Sequence, residues 1–283
     1  MARLRLLTVD RAERALWSWA QGLPRPLLDL SALERFDAFG LCLLALLGWK
    51  AKEEGGFARF FLPEEEVLAQ ELARTGLFRL LSGAFWVDKT LPEADGAGRF
   101  LLVQVEREEG IGNLVEAFAG MLESRFPFGE KTNRILVGAV LELLQNIPHH
   151  AGAGREDLSP VGFAALEEAS DHLHLAVVDG GVGLRGSLSL NPRYHGVSTA
   201  EALELVLVEG ASRFDEPGRG GSLKRIREVA LRNSGKFYVR SLDGVFFQED
   251  VEWTVGGSFF FPGVQISIRL PKRLFLDGAP GEG

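Results

Sequence analysis

An apolar run that ends in a carboxylate and three glycines is the feature that most constrains this chain. Residues 176–186 have the sequence AVVDGGVGLRG, in which the strand-like run 173–178 is followed by Asp179 and by three glycines within four positions. Glycine loses much conformational freedom on folding, so such a cluster requires a tight turn or a close backbone approach to a ligand. A tight turn is the simpler explanation. In the alternative, Asp179 accepts a hydrogen bond from an exocyclic amine, and Gly181 and Gly183 lie against a flat ring.

A second stretch places a carboxylate and an amide on one face of a predicted helix. Residues 130–147 carry an apolar stripe at helical spacing, and Glu142 and Asn146 stand four positions apart within it. An asparagine oxygen can ligate Mg²⁺ without adding charge, and a neighbouring carboxylate can orient or deprotonate a water molecule. The alternative is a helix whose polar edge faces solvent.

A third stretch, PGRGGSLKRI at residues 217–226, brings glycines to the start of another predicted helix. Gly218, Gly220 and Gly221 would let backbone N–H groups approach a ligand, and the positive end of the helix dipole favours phosphate there. A flexible loop explains the same glycines. Taken singly, none of the three motifs decides the function.

The order of the three motifs resembles one known family. A helix with E-x-x-x-N, a strand end with D-x-G-x-G and a G-x-G loop entering a helix are similar to the ATP-binding domain shared by gyrase, MutL, chaperones and histidine kinases, the GHKL family with the Bergerat fold. The segment PGVQISIRLP at residues 262–271 also resembles the closing strand of that domain. The resemblance covers about residues 100–272 and implies a mixed sheet stacked on helices, with ATP and Mg²⁺ between them.

The resemblance also implies a role for each motif residue. The implied positions are Asp179, Gly181 and Gly183 for the adenine, Gly218, Gly220 and Gly221 for the phosphates, Asn146 for Mg²⁺, and Glu142 for the catalytic acid that activates water. A mobile lid at about residues 184–219 would carry the phosphate-binding glycines.

The residues Pro148, His149 and His150, which follow soon after Asn146, depart from the family's pattern. Pro148 stands where the family usually continues its helix, and we expect the helix to end or kink there because proline disfavours helical geometry. His149 and His150 follow, at positions where kinases often have lysine or histidine and tyrosine. These histidines either face phosphate or cap the helix end.

The front of the chain carries a second resemblance. The stretch RPLLDLSALERFDAFGLCLLALLGWKA, residues 25–51, is similar to the STAS domain of anti-sigma-factor antagonists. It predicts a strand over 26–30 and a helix from near Asp37 to Gly55. In that family a serine or threonine before the helix glycine is phosphorylated by a partner kinase, but Phe39 stands there in this chain and has no hydroxyl.

These patterns predict a two-domain α/β protein. We expect a STAS-like α/β domain at residues 1–82, a linker at 83–99, a GHKL α/β sandwich at 100–275 and a flexible tail at 276–283. The last third is predicted to contain three strands, with the sequences KFYVRS, GVFFQ and GVQISIRLP.

The composition indicates the cellular environment of the protein and argues against some classes of partner. The net charge of −8 argues against a nucleic-acid partner, and the single cysteine, Cys42, fits a reducing cytoplasm. The most apolar run, residues 39–49, is shorter than the roughly 20 residues of a membrane-spanning helix. The charged first residues give no signal-peptide pattern. We therefore expect a cytoplasmic protein that binds neither membrane nor nucleic acid.

Three functions remain open at this point. In the first, the chain is an ATP-binding regulator similar to anti-sigma serine kinases that signals to a protein partner, because STAS antagonists and such kinases act on each other. In the second it is an active ATPase or protein serine kinase, which Glu142 favours. In the third it is an interaction module without nucleotide. A homodimer is left open, and residues 83–99 are too short for the helical hairpin of a histidine kinase.

Overall fold

The computed structural model describes residues 3–92, 98–126, 129–152, 161–214 and 221–272. The chain is a mixed α/β protein in which parallel and antiparallel sheets pack on helices. It divides into two compact units, residues 1–104 with 163–167, and residues 105–162 with 168–283. None of the helices in the described part of the chain combines the length and apolar character that a membrane crossing needs.

The first unit consists of short parallel sheets and helices. Its elements are, in chain order, β1 (Leu6–Leu7), α1 (Ala12–Ala20), β2 (Leu27–Asp29), β3 (Arg35–Phe36), α2 (Ala38–Glu53), β4 (Ala58–Phe61), α3 (Glu66–Arg74), α4 (Leu77–Leu80) and β5 (Phe85–Val87). β1 pairs with β3, and β2, β4 and β5 form a three-stranded parallel sheet.

Helix α2 is buried over most of its length because its sequence is apolar on every side. The Asp37 carboxylate caps its start and accepts hydrogen bonds from the N–H of Gly40 at 2.9 Å and of Val9 at 3.0 Å. Gly55, just beyond the helix, has a φ of +76°, which glycine adopts without strain. The predicted start near Asp37 and stop at Gly55 are thus confirmed.

The segment expected to link two domains differs from that expectation. Residues 83–99 include β5, whose residues pair with β4 in the sheet of the first unit. The first unit extends to residue 104 rather than ending at 82. FWV at 85–87 forms the strand because aromatic and β-branched residues favour extended backbone, and Gly83 before it has a φ of +78°.

Residues 100–271 build a five-stranded sheet and the helices near it. The elements are β6 (Phe100–Val105), α5 (Ile111–Arg125), α6 (Glu130–Asn146), β7 (Gly162–Glu168), β8 (His172–Asp179), α7 (Gly183–Leu188), α8 (Thr199–Glu204), α9 (Ser222–Arg232), β9 (Lys236–Glu249) and β10 (Glu252–Pro271). The strand order is β6-β7-β8-β10-β9, and β10 runs antiparallel to both neighbours. The predicted tail at 276–283 lies outside the described residues.

The C-terminal strands correct the sequence prediction. KFYVRS and GVFFQ belong to one strand, β9, and β10 begins at Glu252, ten or more residues before the predicted GVQISIRLP strand. β9 bends back on itself, because Lys236 and Glu249 form an ion pair at 2.6 Å although an extended strand would separate them by about 40 Å. The bend lies at Leu242, where φ is +52°, and opposite register shifts between Gly257 and Val264 of β10.

Helix α6 ends where Pro148 predicts a break. The α-helical hydrogen bonding stops at Asn146, and a π-helical turn continues over Ile147–Ala151. Proline lacks the N–H that would extend the helix, so the wider turn is a local consequence of the sequence. The turn carries His149 and His150 beside the site described next.

Candidate functional site

The motif residues converge on two adjoining cavities in the second unit. The inner cavity is lined mainly by aliphatic side chains from α6, the π-helical turn, β8, α7 and β10, among them Leu143, Ile147, Val177, Leu188 and Ile266. The outer cavity is polar and includes Glu142, Gln145, His149, Phe214 and Arg225. Asn146, His150, Ser212, Arg213 and Ser222 line both. An apolar chamber therefore opens into a charged one.

Asp179 lies at the end of β8 and lines the inner cavity, with 8% of its surface exposed. Its Oδ1 accepts hydrogen bonds from the N–H of Gly181 at 2.8 Å and of Val264 at 3.3 Å. The side chain of Gln265, on β10, donates to the Asp179 carbonyl at 3.1 Å. A carboxylate held this way can receive a further donor from a ligand in an otherwise apolar chamber.

Two polar contacts join α6 to α9 at the outer cavity. Asn146 Nδ2 donates to the Ser222 hydroxyl at 3.5 Å, and Arg225 Nη2 lies 3.3 Å from each carboxylate oxygen of Glu142. Glu142 and Asn146 are one helical turn apart, as their spacing predicts, and the structure brings both to the outer cavity. The carboxylate expected to act as a base is thus paired with a guanidinium.

The two histidines after Pro148 have different surroundings. His150 Nδ1 lies 2.8 Å from the Ser187 hydroxyl, and its ring meets Phe214 edge to face. Burial lowers the pKa of His150 to about 4, with smaller contributions from the positive charges of Arg213 and His149. His149 lies 3.3 Å from the carboxylate of Glu108. His150 is therefore a neutral group of the cavity wall at pH 7 and not a cation for phosphate.

Two of the predicted glycines line the inner cavity, one does not, and two are not described. Gly183 lines the inner cavity with a φ of +73°, and Gly221 lines it at the start of α9 with a φ of +71°. Gly181 is not among the lining residues; a Cβ there would stand 2.1 Å from the carbonyl oxygen of Ala151, so the glycine is needed for backbone packing. Gly218 and Gly220 lie outside the described residues.

The sequence reasoning missed two arginines. Arg213 lines both cavities, donates to the His149 carbonyl at 2.8 Å and stacks on the ring of Phe214. Arg225 pairs with Glu142 from the second turn of α9. The basic run KRIR at 224–227 is the sequence signal for Arg225, whereas an isolated arginine such as Arg213 gives none.

The expected lid region is largely helical where it is described. It contains α7, a 3-10 turn at Pro192–Tyr194, α8 and a π-helical segment at Leu205–Glu209. A capping box at Ser198 and Glu201 starts α8.

Comparison of the sequence with models of known protein families gave no match, and comparison with curated proteins gave none either. Among the described residues, no group of three or more His, Cys, Asp or Glu side chains is arranged to hold a metal ion. The functional interpretation therefore depends on the two cavities themselves and on the motifs that line them.

Proposed function

We propose that this chain is an ATP-binding regulatory protein similar to anti-sigma serine kinases, which binds Mg-ATP in the second unit and signals to a protein partner. The observation that carries the proposal is the position of Asp179, a carboxylate in the wall of an apolar chamber that opens into a cavity with two arginines. An adenine ring has an apolar face and an exocyclic amine donor, and phosphates require cations. The apolar inner cavity suits the adenine ring, and the charged outer cavity suits the phosphates.

The residues present also suit the cofactor that the resemblance implies. The Asn146 amide nitrogen donates toward α9, and its amide oxygen is the atom suited to a hard cation. When bound, Mg²⁺ would neutralise phosphate charge. Arg213 is positioned to add positive charge at the junction of the two cavities.

The pairing of Glu142 with Arg225 sets a condition on turnover. A general base must reach the proton that it removes, and both oxygens of Glu142 face the Arg225 guanidinium at 3.3 Å. Hydrolysis or phosphoryl transfer to serine remains the second function considered, since Glu142 stands where the resemblance places the water-activating acid. It requires that Arg225 leave the carboxylate.

A regulatory role for the first unit is part of the proposal. Phe39, at the position that STAS domains phosphorylate, is fully buried and has no hydroxyl. A switch by phosphorylation at that residue is therefore excluded. Any signal between this chain and a protein partner would depend on nucleotide state or on another residue.

The test is calorimetric titration of the full chain with Mg-ATP, Mg-ADP and adenosine. We expect saturable binding of all three and a loss of affinity of about tenfold or more for each in Asp179→Asn, because a charged acceptor for the adenine amine is replaced by a neutral amide. Phosphate release measured on the same sample separates the regulator from the ATPase.

The matched control is Glu130→Gln, an exposed carboxylate at the start of α6 that pairs with Arg134. It should bind as the wild type does. Absence of binding by folded wild-type protein at millimolar Mg-ATP would overturn the proposal and would favour an interaction module.

A further inference from the structure

The outer cavity contains an ion pair of which one member repels an anionic ligand and the other attracts it. Glu142 would repel a phosphate and Arg225 would attract one, yet the two face each other with Nη2 at 3.3 Å from both oxygens. Both line the same cavity, so a phosphate that enters it meets both groups. Their ion pair is consequently in competition with such a ligand.

The other basic side chains described in this cavity are less able to respond to a phosphate. Arg213 donates to the His149 carbonyl at 2.8 Å and stacks on Phe214 with its guanidinium carbon 4.5 Å from the ring centre. His149 pairs with Glu108, and the pKa of His150 is lowered to about 4 by burial, so His150 is neutral at pH 7. Arg225 has 56% of its side chain exposed, which leaves room for a change of rotamer.

The ion pair between Glu142 and Arg225 is also weak enough for a ligand to displace. Ion pairs between side chains as exposed as these, 56% for Arg225 and 36% for Glu142, contribute little to stability, because solvent screens them and both side chains lose rotamer freedom. An arginine bonded to a phosphate makes shorter, charge-assisted hydrogen bonds. Exchange of the carboxylate for a phosphate is therefore favourable for Arg225.

We infer that Arg225 is a specificity-determining residue of this site, which recognises the phosphates of a nucleoside triphosphate, and that its ion pair with Glu142 is the contact that the phosphates displace. This rests on the proposed nucleotide function. When phosphates displace Arg225, the Glu142 carboxylate loses this partner, which is the condition that hydrolysis or phosphoryl transfer requires. Arg225 acts on Glu142 as a positioning residue, and adenosine, which has no phosphate, leaves the pair intact.

The experiment compares ATP with adenosine in variants of the full chain. In Arg225→Met the affinity for Mg-ATP should fall about tenfold, the scale of one charged hydrogen bond, whereas the affinity for adenosine should stay unchanged. In Glu142→Gln the affinity for Mg-ATP should rise several-fold, because a charge that repels phosphate and competes with it for Arg225 is removed. If the ion pair only held α6 and α9 together and had no role in recognition, Glu142→Gln would not raise the affinity for Mg-ATP.

Arg232→Met is the matched control, since Arg232 lies on the same helix and pairs with Glu228 at 3.6 Å. It should change neither affinity. Thermal melts of each variant confirm that it is folded.

The outcomes separate the two claims. If wild-type protein binds neither ATP nor adenosine, the proposed function fails and this inference fails with it. If wild-type protein binds ATP and Arg225→Met binds it equally well, or loses affinity for adenosine to the same extent, the inference alone is overturned.

Discussion

At the scale of the residue, His150 gives the clearest electrostatic consequence of the site. Its pKa of about 4 lies below the 6.5 of an unperturbed histidine because burial disfavours the charged ring. Between pH 6.5 and pH 4 the unfolded chain therefore takes up a proton that the folded chain does not. The free energy of unfolding should fall across this window by an amount on the order of 2 kcal/mol, and above pH 6.5 this histidine contributes no pH dependence.

The measurement is an NMR titration of the histidine ring signals, with His150 assigned by its loss in His150→Asn. We expect an apparent pKa near 4 in the wild type. The variant should lose part of the fall in stability between pH 6.5 and pH 4 in urea unfolding. A His150 signal that titrates near 6.5 would contradict this prediction.

Single residues also mark where sequence reasoning succeeds and where it stops. Asp179 is next to the inner cavity, as the strand-end carboxylate predicts. Gly181 is predicted to lie beside the adenine ring, whereas in the structure a Cβ at this position would meet the Ala151 carbonyl. The partner of Glu142 could not be predicted, because Arg225 is 83 positions away and local spacing carries no information on such pairs.

At the scale of the element, helix boundaries followed from local chemistry. The Asp37 cap, the glycine at 55 and the break at Pro148 each depend on residues within one helical turn. The fold-back of β9 depends on tertiary packing, so the sequence suggested two strands in its place. Phe237 and Phe246, on the two halves of β9, are both fully buried and meet edge to face at 6.3 Å.

The fold-back predicts a contrast between neighbouring phenylalanines. Phe246 is fully buried, and its ring also stacks on Trp253 at 5.6 Å, whereas Phe247 points to the other face and is 36% exposed. Phe246→Ala should lower the free energy of unfolding by about 3–5 kcal/mol, because it removes the ring that joins the two halves of the strand. Phe247→Ala, the matched control, should cost much less. Urea unfolding of both variants tests this, and equal losses would refute the fold-back as the cause.

At the scale of the whole molecule, the α/β class followed from alternating apolar and helical patterns along the chain. The division into units did not, since residues 163–167 join the first unit although 58 residues separate them from the end of its main segment. Sequence order alone places a boundary between contiguous segments. It does not assign a later segment to an earlier unit, because that assignment depends on long-range strand pairing.

Only the second unit is expected to bind the proposed ligand, because all the described residues that line either cavity belong to it. A ligand that binds only folded protein stabilises it by about 2.7 kcal/mol at 100 times its Kd. Scanning calorimetry of the full chain should therefore show Mg-ATP raising the unfolding temperature by several degrees. Where two transitions are resolved, the one that belongs to the second unit should move.

Asp179→Asn should lose most of this shift, and Glu130→Gln should keep it, because Glu130 is exposed and away from the cavities. Adenosine should stabilise the same transition as Mg-ATP, since the contact with Asp179 needs no phosphate. A shift confined to the transition of the first unit would place the ligand elsewhere. Because a ligand acts only on the equilibrium in which its own site unfolds, the identity of the transition that moves locates the site without a bound structure.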